Sequence, residues 1–153
     1  IADGTYNVIP DKALLQGTMR TFNEDDRKSI KNKIKKICSQ IAKTYGVKSR
    51  VVIEEGYPVL INNVDLTNSM RDNAVDFLGE DKVKNIPQLM TAEDFAWYSH
   101  KVKSCMYRLG TSNVEKGIVS KQHTPTFDID EDAMEIGVGM MVYLAMEELK
   151  IEN

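Results

Sequence analysis

The stretch ALLQGTMRTFNEDDRKSIKNKIKKICSQIAKTYG, residues 13–46, decides the fold. Over residues 13–22 the side chains alternate. Leu15, Gly17, Met19 and Thr21 fall on one face and Leu14, Gln16, Thr18, Arg20 and Phe22 on the other, the pattern of a strand with one mixed polar face. Asn23 then has the chemistry of a helix N-cap, and Glu24, Asp25 and Asp26 put negative charge where the helix dipole favours it. Ile30, Ile34, Ile37, Cys38, Ile41 and Tyr45 follow at helical steps, which predicts an amphipathic helix over 24–45 with Gly46 as its stop. KSRVVIEEG, residues 48–56, reads as a second strand. Strand, helix and strand make a small α/β lobe whose sheet keeps an open edge.

The character changes after Asn62-Asn63, which reads as a linker. A helix is expected over 65–78, closed by Gly79. KVKNIPQLM is a short extended piece, TAEDFAWYSHKV a helix behind a Thr cap, and SCMYRLGTS a strand. Residues 112–122 read as a polar loop, and Asp128 with Glu131 forms a D-x-x-E capping pattern. The run to Leu149 is a helix with Gly137 and Gly139 in its interior. Glycine there costs roughly 1 kcal/mol against alanine, so close packing against a neighbour is the expected reason.

The chain has 153 residues, 42% hydrophobic and 28% charged, with a net charge of −3. That suffices for one domain or two small lobes. The acidic balance argues against nucleic acid as a partner, because no basic stripe tracks a phosphate backbone. The run RKSIKNKIKK carries isoleucines at helical spacing and reads as a solvated helix face. No stretch is apolar enough to span a membrane, and IADGTYNVIP has neither region of a signal peptide. Cys38 and Cys105 lack metal-ligand spacing and read as buried free thiols, which favours a reducing, cytoplasmic location.

Four motifs occur in order: NVIPDKALLQGTMRTF (7–22), GYPVLINN (56–63), TAEDFAWY (91–98) and HTPTFDIDEDAMEIG (123–137). Together they resemble the C-terminal part of the metal-dependent amidohydrolases of the aminoacylase, hippuricase and carboxypeptidase kind. The nearest subgroup is the N-acyl-L-amino acid amidohydrolases and plant auxin-conjugate hydrolases. The resemblance runs from Asn7 to about Leu149. It implies an α/β fold: residues 1–60 as the second half of an inserted lid and dimerisation lobe, and residues 61–153 as the C-terminal part of a zinc-peptidase-like catalytic domain.

The resemblance also implies roles. His123, in its H-x-P-x-F-D setting, takes the place of the family's final metal ligand, a task that suits a neutral imidazole. Asn7 takes the place of a residue that binds near the substrate carbonyl. Arg20 takes that of the residue gripping the substrate's terminal carboxylate, which a planar guanidinium matches with two hydrogen bonds. Gly110 and Thr111, at the end of an expected strand, are candidates for backbone contacts to substrate. Glu93 and Asp94 read as floor or helix-cap residues rather than ligands, and His100 as surface.

By the same resemblance the intact enzyme uses two divalent ions, zinc first, with manganese, cobalt or nickel admitted by the ligand types. It forms a homodimer through the lid lobe, and its substrate is an N-acyl amino acid or short peptide. The remaining metal ligands, the general-base Glu and the lobe's own catalytic histidine belong upstream of these motifs. No catalytic residue is therefore expected within these 153 residues, and the sequence reads as a portion of an enzyme. The alternative from another class is a stand-alone, non-catalytic dimerisation module.

Overall fold

The computed structural model describes residues 5–151, and the side chains of residues 5–150. Residues 1–4 and 152–153, at the outer ends of the two expected segments, lie outside the described residues. Backbone contacts divide the chain into two compact units. One is residues 1–59 with 89–92, the other residues 60–88 with 93–153.

The first unit is organised by α1, Glu24–Thr44. Asn23 is its N-cap: the side-chain oxygen accepts from the backbone N–H of Asp25 at 2.7 Å and of Asp26 at 3.2 Å. The helix ends in a Schellman arrangement. Val47 N–H donates to the Ala42 carbonyl at 2.9 Å and Gly46 N–H to Lys43 at 3.3 Å, with Gly46 at φ +66°. The half-buried and buried stripe is Arg27, Ile30, Lys31, Ile34, Cys38 and Ala42, whereas Ile37, Ile41 and Tyr45 are exposed. Residues 55–59 fold back on this helix. Glu24 Oε1 accepts from Val59 N–H at 2.7 Å, Arg27 donates to the carbonyls of Gly56 and Tyr57, and Lys31 pairs with Glu55.

The second unit holds α2, Val64–Leu78, α3, Ala96–Ser99, and α4, Asp132–Ile151. Asn63 caps α2 through its side chain, which accepts from Leu66 N–H at 3.0 Å. The core is where α2 meets α4: Ala74, Met140 and Leu144, flanked by Met70, Leu78, Val83 and Tyr107. Both helix glycines lie at close approaches. A Cβ on Gly137 would meet Leu109 Cδ2 at 2.8 Å, and one on Gly139 would meet Phe77 Cζ at 3.1 Å. Phe77 also stacks on Tyr143, ring centres 5.2 Å apart.

Several expectations need correction. The segments 13–22, 48–56 and 104–112 form no strand among the described residues; Ala13 is an isolated bridge position, and Asn113 bridges Ile118 just past the third segment. Alternation supplies two side-chain faces, but a strand exists only when its N–H and C=O groups meet a neighbouring strand. Leu15, at 90% exposure, has no face to cover. The α/β reading is thus not met by these residues, which are helical and irregular. The helix expected over 91–102 shrinks to α3. Its bonds mix the tighter i to i+3 kind with α-helical ones, and the Ser99 hydroxyl donates to the Ala96 carbonyl at 2.9 Å, competing with helix propagation. The Asp128–Glu131 capping box does not form; α4 begins at Asp132, and Asp130 accepts from Asp132 N–H at 3.3 Å.

The expected linker Asn62-Asn63 is instead pinned to the chain at 104–106. Asn63 N–H donates to the Ser104 carbonyl at 2.8 Å, and Asn62 bonds Met106 through its side-chain amide.

Candidate functional site

His123 occupies a nested loop between a small hairpin and α4. At the base, Asn113 and Ile118 exchange two backbone hydrogen bonds, each 2.8 Å. Val114–Gly117 closes the turn with Gly117 at φ +73°. Asn113 makes three side-chain bonds: Oδ1 accepts from the N–H groups of Glu115 and Lys116, and Nδ2 donates to Asp130 Oδ2 at 2.6 Å. Lys116 Nζ donates to Asp130 Oδ1 at 2.7 Å and to Asp132 Oδ2 at 2.6 Å. Asp130 N–H donates to the Thr111 carbonyl at 2.8 Å. Lys116 first, and then Asn113, hold the Asp130 carboxyl below its usual range, and the two aspartates hold the Lys116 ammonium above its own.

Further out, the hydroxyls of Ser120 and Thr126 meet at 2.8 Å. At the apex the Thr124 hydroxyl donates to the Lys121 carbonyl at 2.8 Å and Phe127 N–H to the Thr124 carbonyl at 3.1 Å. His123 sits in this apex with φ +64°, the one described non-glycine residue at positive φ, and its side chain is exposed. Left-handed backbone costs a residue with a Cβ on the order of 1 kcal/mol, and such outliers cluster at functional sites.

The other predicted residues are placed as follows. Asn7 lies in a turn closed by Val8 N–H to the Thr5 carbonyl, and its side chain accepts from the Thr5 hydroxyl at 2.8 Å. Arg20 is exposed, donates to the Thr18 hydroxyl at 3.3 Å, and makes no ion pair among the described residues. Both belong to the first unit, while Gly110, Thr111 and His123 belong to the second. Gly110 is exposed with open space where a Cβ would go. The Thr111 carbonyl is engaged by Asp130. Glu93 pairs with Arg108 at 3.3 Å, and His100 is exposed. Cys38 and Cys105 are free thiols, half-buried rather than buried.

Sequence reading missed the cluster of Asn113, Lys116 and Asp130, having taken 112–122 as a loop. The signal was in NVEKG, where an asparagine able to cap a turn precedes a glycine able to close it. One shallow cavity of the second unit, about 310 Å³, is lined by Ile61, Asn63 and Ser99–Lys103 and contains none of the predicted site residues; another, about 290 Å³, lies beside Lys116 and Asp128–Asp132. Among the described residues, no group of three or more His, Cys, Asp or Glu side chains is gathered to hold a metal ion. No helix among them is long and apolar enough to cross a membrane.

The profile of Peptidase family M20/M25/M40 matches residues 4–147. The chain is 34% identical over 134 residues to "Putative amidohydrolase YhaA" of Bacillus subtilis, covering 88% of this chain and 34% of that protein. It is 32% identical over 145 residues to "IAA-amino acid hydrolase ILR1-like 6" of Arabidopsis thaliana, covering 92% of this chain and 31% of that protein. It is 32% identical over 143 residues to "Thermostable carboxypeptidase 2" of Saccharolobus solfataricus, covering 92% and 35%. The chain thus spans about a third of the length of the curated relatives it matches. No solved structure matches. With its profile match running over nearly the whole length, through the histidine loop and into α4, the chain belongs to Peptidase family M20/M25/M40.

Proposed function

We propose that this chain is the C-terminal portion of a metal-dependent amidohydrolase that cleaves the amide bond of N-acyl amino acids or short peptides. The observation that carries the reading is His123: an exposed imidazole on a left-handed backbone, at the tip of a loop braced at three levels, inside the family match. Relatives carrying the names putative amidohydrolase, IAA-amino acid hydrolase and carboxypeptidase support an amide substrate for the parent.

The residues present fit one part of a metal centre. An exposed imidazole on a fixed backbone can present a ring nitrogen to an ion, while the described residues gather no complete ligand set. His123 would hold one of two divalent ions, zinc first and manganese, cobalt or nickel next, and the other ligands and the general base would come from the rest of the parent chain. Such ions supply carbonyl polarisation and water activation when bound. Arg20, exposed and without an acidic partner among the described residues, is available to a substrate carboxylate, and Asn7, whose side-chain oxygen takes the Thr5 hydroxyl, would offer its amide nitrogen to the carbonyl region. Gly110 and Thr111 would approach substrate through backbone atoms, with Gly110 the freer of the two.

In the α/β fold we propose for the parent, residues 1–60 are the second half of the lid lobe and residues 61–153 the end of the catalytic domain. The irregular segments 13–22, 48–56 and 104–112 would find strand partners there, and the lobe would form a homodimer. The free thiols Cys38 and Cys105 suit a cytoplasmic setting.

The test is to purify the full-length parent, remove divalent ions with a chelator, and assay a series of N-acyl-L-amino acids before and after zinc or manganese is restored. Chelator-sensitive, metal-restored release of free amino acid is the expected result. Hydrolysis indifferent to the chelator, or none with any N-acyl amino acid or dipeptide, would refute the reading.

A further inference from the structure

We infer that Asn113, Lys116 and Asp130 form a latch that positions His123, acting on the loop base rather than on the imidazole. The inference rests on the reading of His123 as a metal ligand.

The loop that carries His123 leaves the hairpin at Ile118 and reaches Asp130 two residues before α4 begins at Asp132. Its two ends meet at a single carboxylate. Asp130 Oδ2 takes the Asn113 amide at 2.6 Å, Oδ1 takes Lys116 Nζ at 2.7 Å, and its own N–H reaches the Thr111 carbonyl at 2.8 Å. The Asp130 side chain is only 13% exposed and its bond from Asn113 is part-buried, while Lys116 reaches it from the solvent side at 48% exposure. Lys116 also reaches Asp132, the first residue of α4, at 2.6 Å. Because α4 is fixed by Met140 and Leu144 in the core, the latch transmits that fixed frame to the loop.

Positioning of this kind has a chemical purpose. A single histidine at a loop tip can bind an ion tightly only if its backbone is already set, since ordering it on binding would subtract from affinity. His123 has a left-handed backbone, and a strained conformation persists only where its surroundings over-determine it. The Ser120–Thr126 contact alone joins two exposed hydroxyls and is a weak brace; the part-buried Asn113–Asp130 bond, reinforced by the Lys116 charge, is the stronger one.

The experiment uses the full-length parent and zinc alone as probe. Lys116→Met should weaken zinc binding, measured by competition with a chromogenic chelator, by about 10-fold, the lower end of the effect of removing a direct partner of a metal ligand, because Lys116 bonds the loop base and not the imidazole. Lys116→Arg should restore it to within a few-fold, a rescue that a general packing defect would not show. Amide exchange over residues 119–127 should accelerate in Lys116→Met while the α2–α4 core keeps its protection. If Lys116→Met does not fold, Asp130→Asn, which keeps the side chain's shape but not its charge, takes its place with the same expectations. Unchanged zinc affinity and unchanged loop exchange would overturn the latch. His123→Ala, measured in parallel, separates the two ideas. If it keeps all its zinc, the ligand reading fails; if it loses zinc while Lys116→Met does not, the latch fails and the ligand stands.

Discussion

Asn62 and Met106 are joined by a reciprocal pair of hydrogen bonds: the Asn62 amide nitrogen donates to the Met106 carbonyl at 2.9 Å, and the Asn62 amide oxygen accepts from the Met106 N–H at 2.9 Å. One side chain thus does for Met106 what a neighbouring strand would do. Both groups are partly buried, so removing one partner strands the other. Asn62→Leu should destabilise the protein by about 2 kcal/mol, read as a lowered denaturant midpoint with unchanged slope. A loss under about 0.5 kcal/mol would mean that water replaces the amide freely.

Gly46 ends α1 at φ +66° with nothing near the place of a Cβ, so substitution there meets conformational cost and no clash. Gly46→Ala should cost about 1 kcal/mol and Gly46→Asn distinctly less, because asparagine tolerates the left-handed region. Equal losses for the two variants in thermal unfolding would contradict the Schellman account.

The latch has a definite pH window. Asp130's carboxyl is held low by Lys116 and then Asn113, so its contribution is present above the ordinary aspartate range and is lost as pH falls through the lowered value. Lys116's ammonium is held high by Asp130 and Asp132, so its contribution is present below the ordinary lysine range and is lost as pH rises through the raised value. Amide exchange over residues 119–127, corrected for intrinsic rates, should therefore be flat from about pH 5 to about pH 9. Opening of the loop within that window would show that another group controls it.

Arg20→Ala in the full-length parent should raise KM for N-acyl amino acids roughly 10- to 100-fold, the loss of a charged hydrogen-bond pair, with metal content unchanged. Arg20→Lys should recover only part, because an ammonium cannot offer the planar fork. A normal KM in Arg20→Ala would exclude the carboxylate clamp.

The helices were legible because their information is local. Asn23 with three acids, the isoleucine spacing and Gly46 predicted α1 to within a residue, and Gly137 and Gly139 announced a close approach that Leu109 and Phe77 supply. Sheet was not, because alternation at Leu14–Phe22 or at 48–56 says which faces a strand would have and nothing about who would lie beside it. The TAEDFAWYSHKV segment read as a longer helix than it forms, since Ser99 turns its hydroxyl back on the Ala96 carbonyl and Ala96 is wholly buried at the turn. At the site, His123 stood out by motif, but the residues that hold it did not. Asn113, Lys116 and Asp130 are ordinary polar residues in sequence, and only folding brings them to one carboxylate.

The most direct test of the account is metal stoichiometry in the full-length parent, measured by elemental analysis for the wild type and for His123→Ala. The account predicts two divalent ions per protomer in the wild type, loss of one equivalent in His123→Ala, and collapse of amide hydrolysis with it. Full occupancy with full activity in His123→Ala would contradict it.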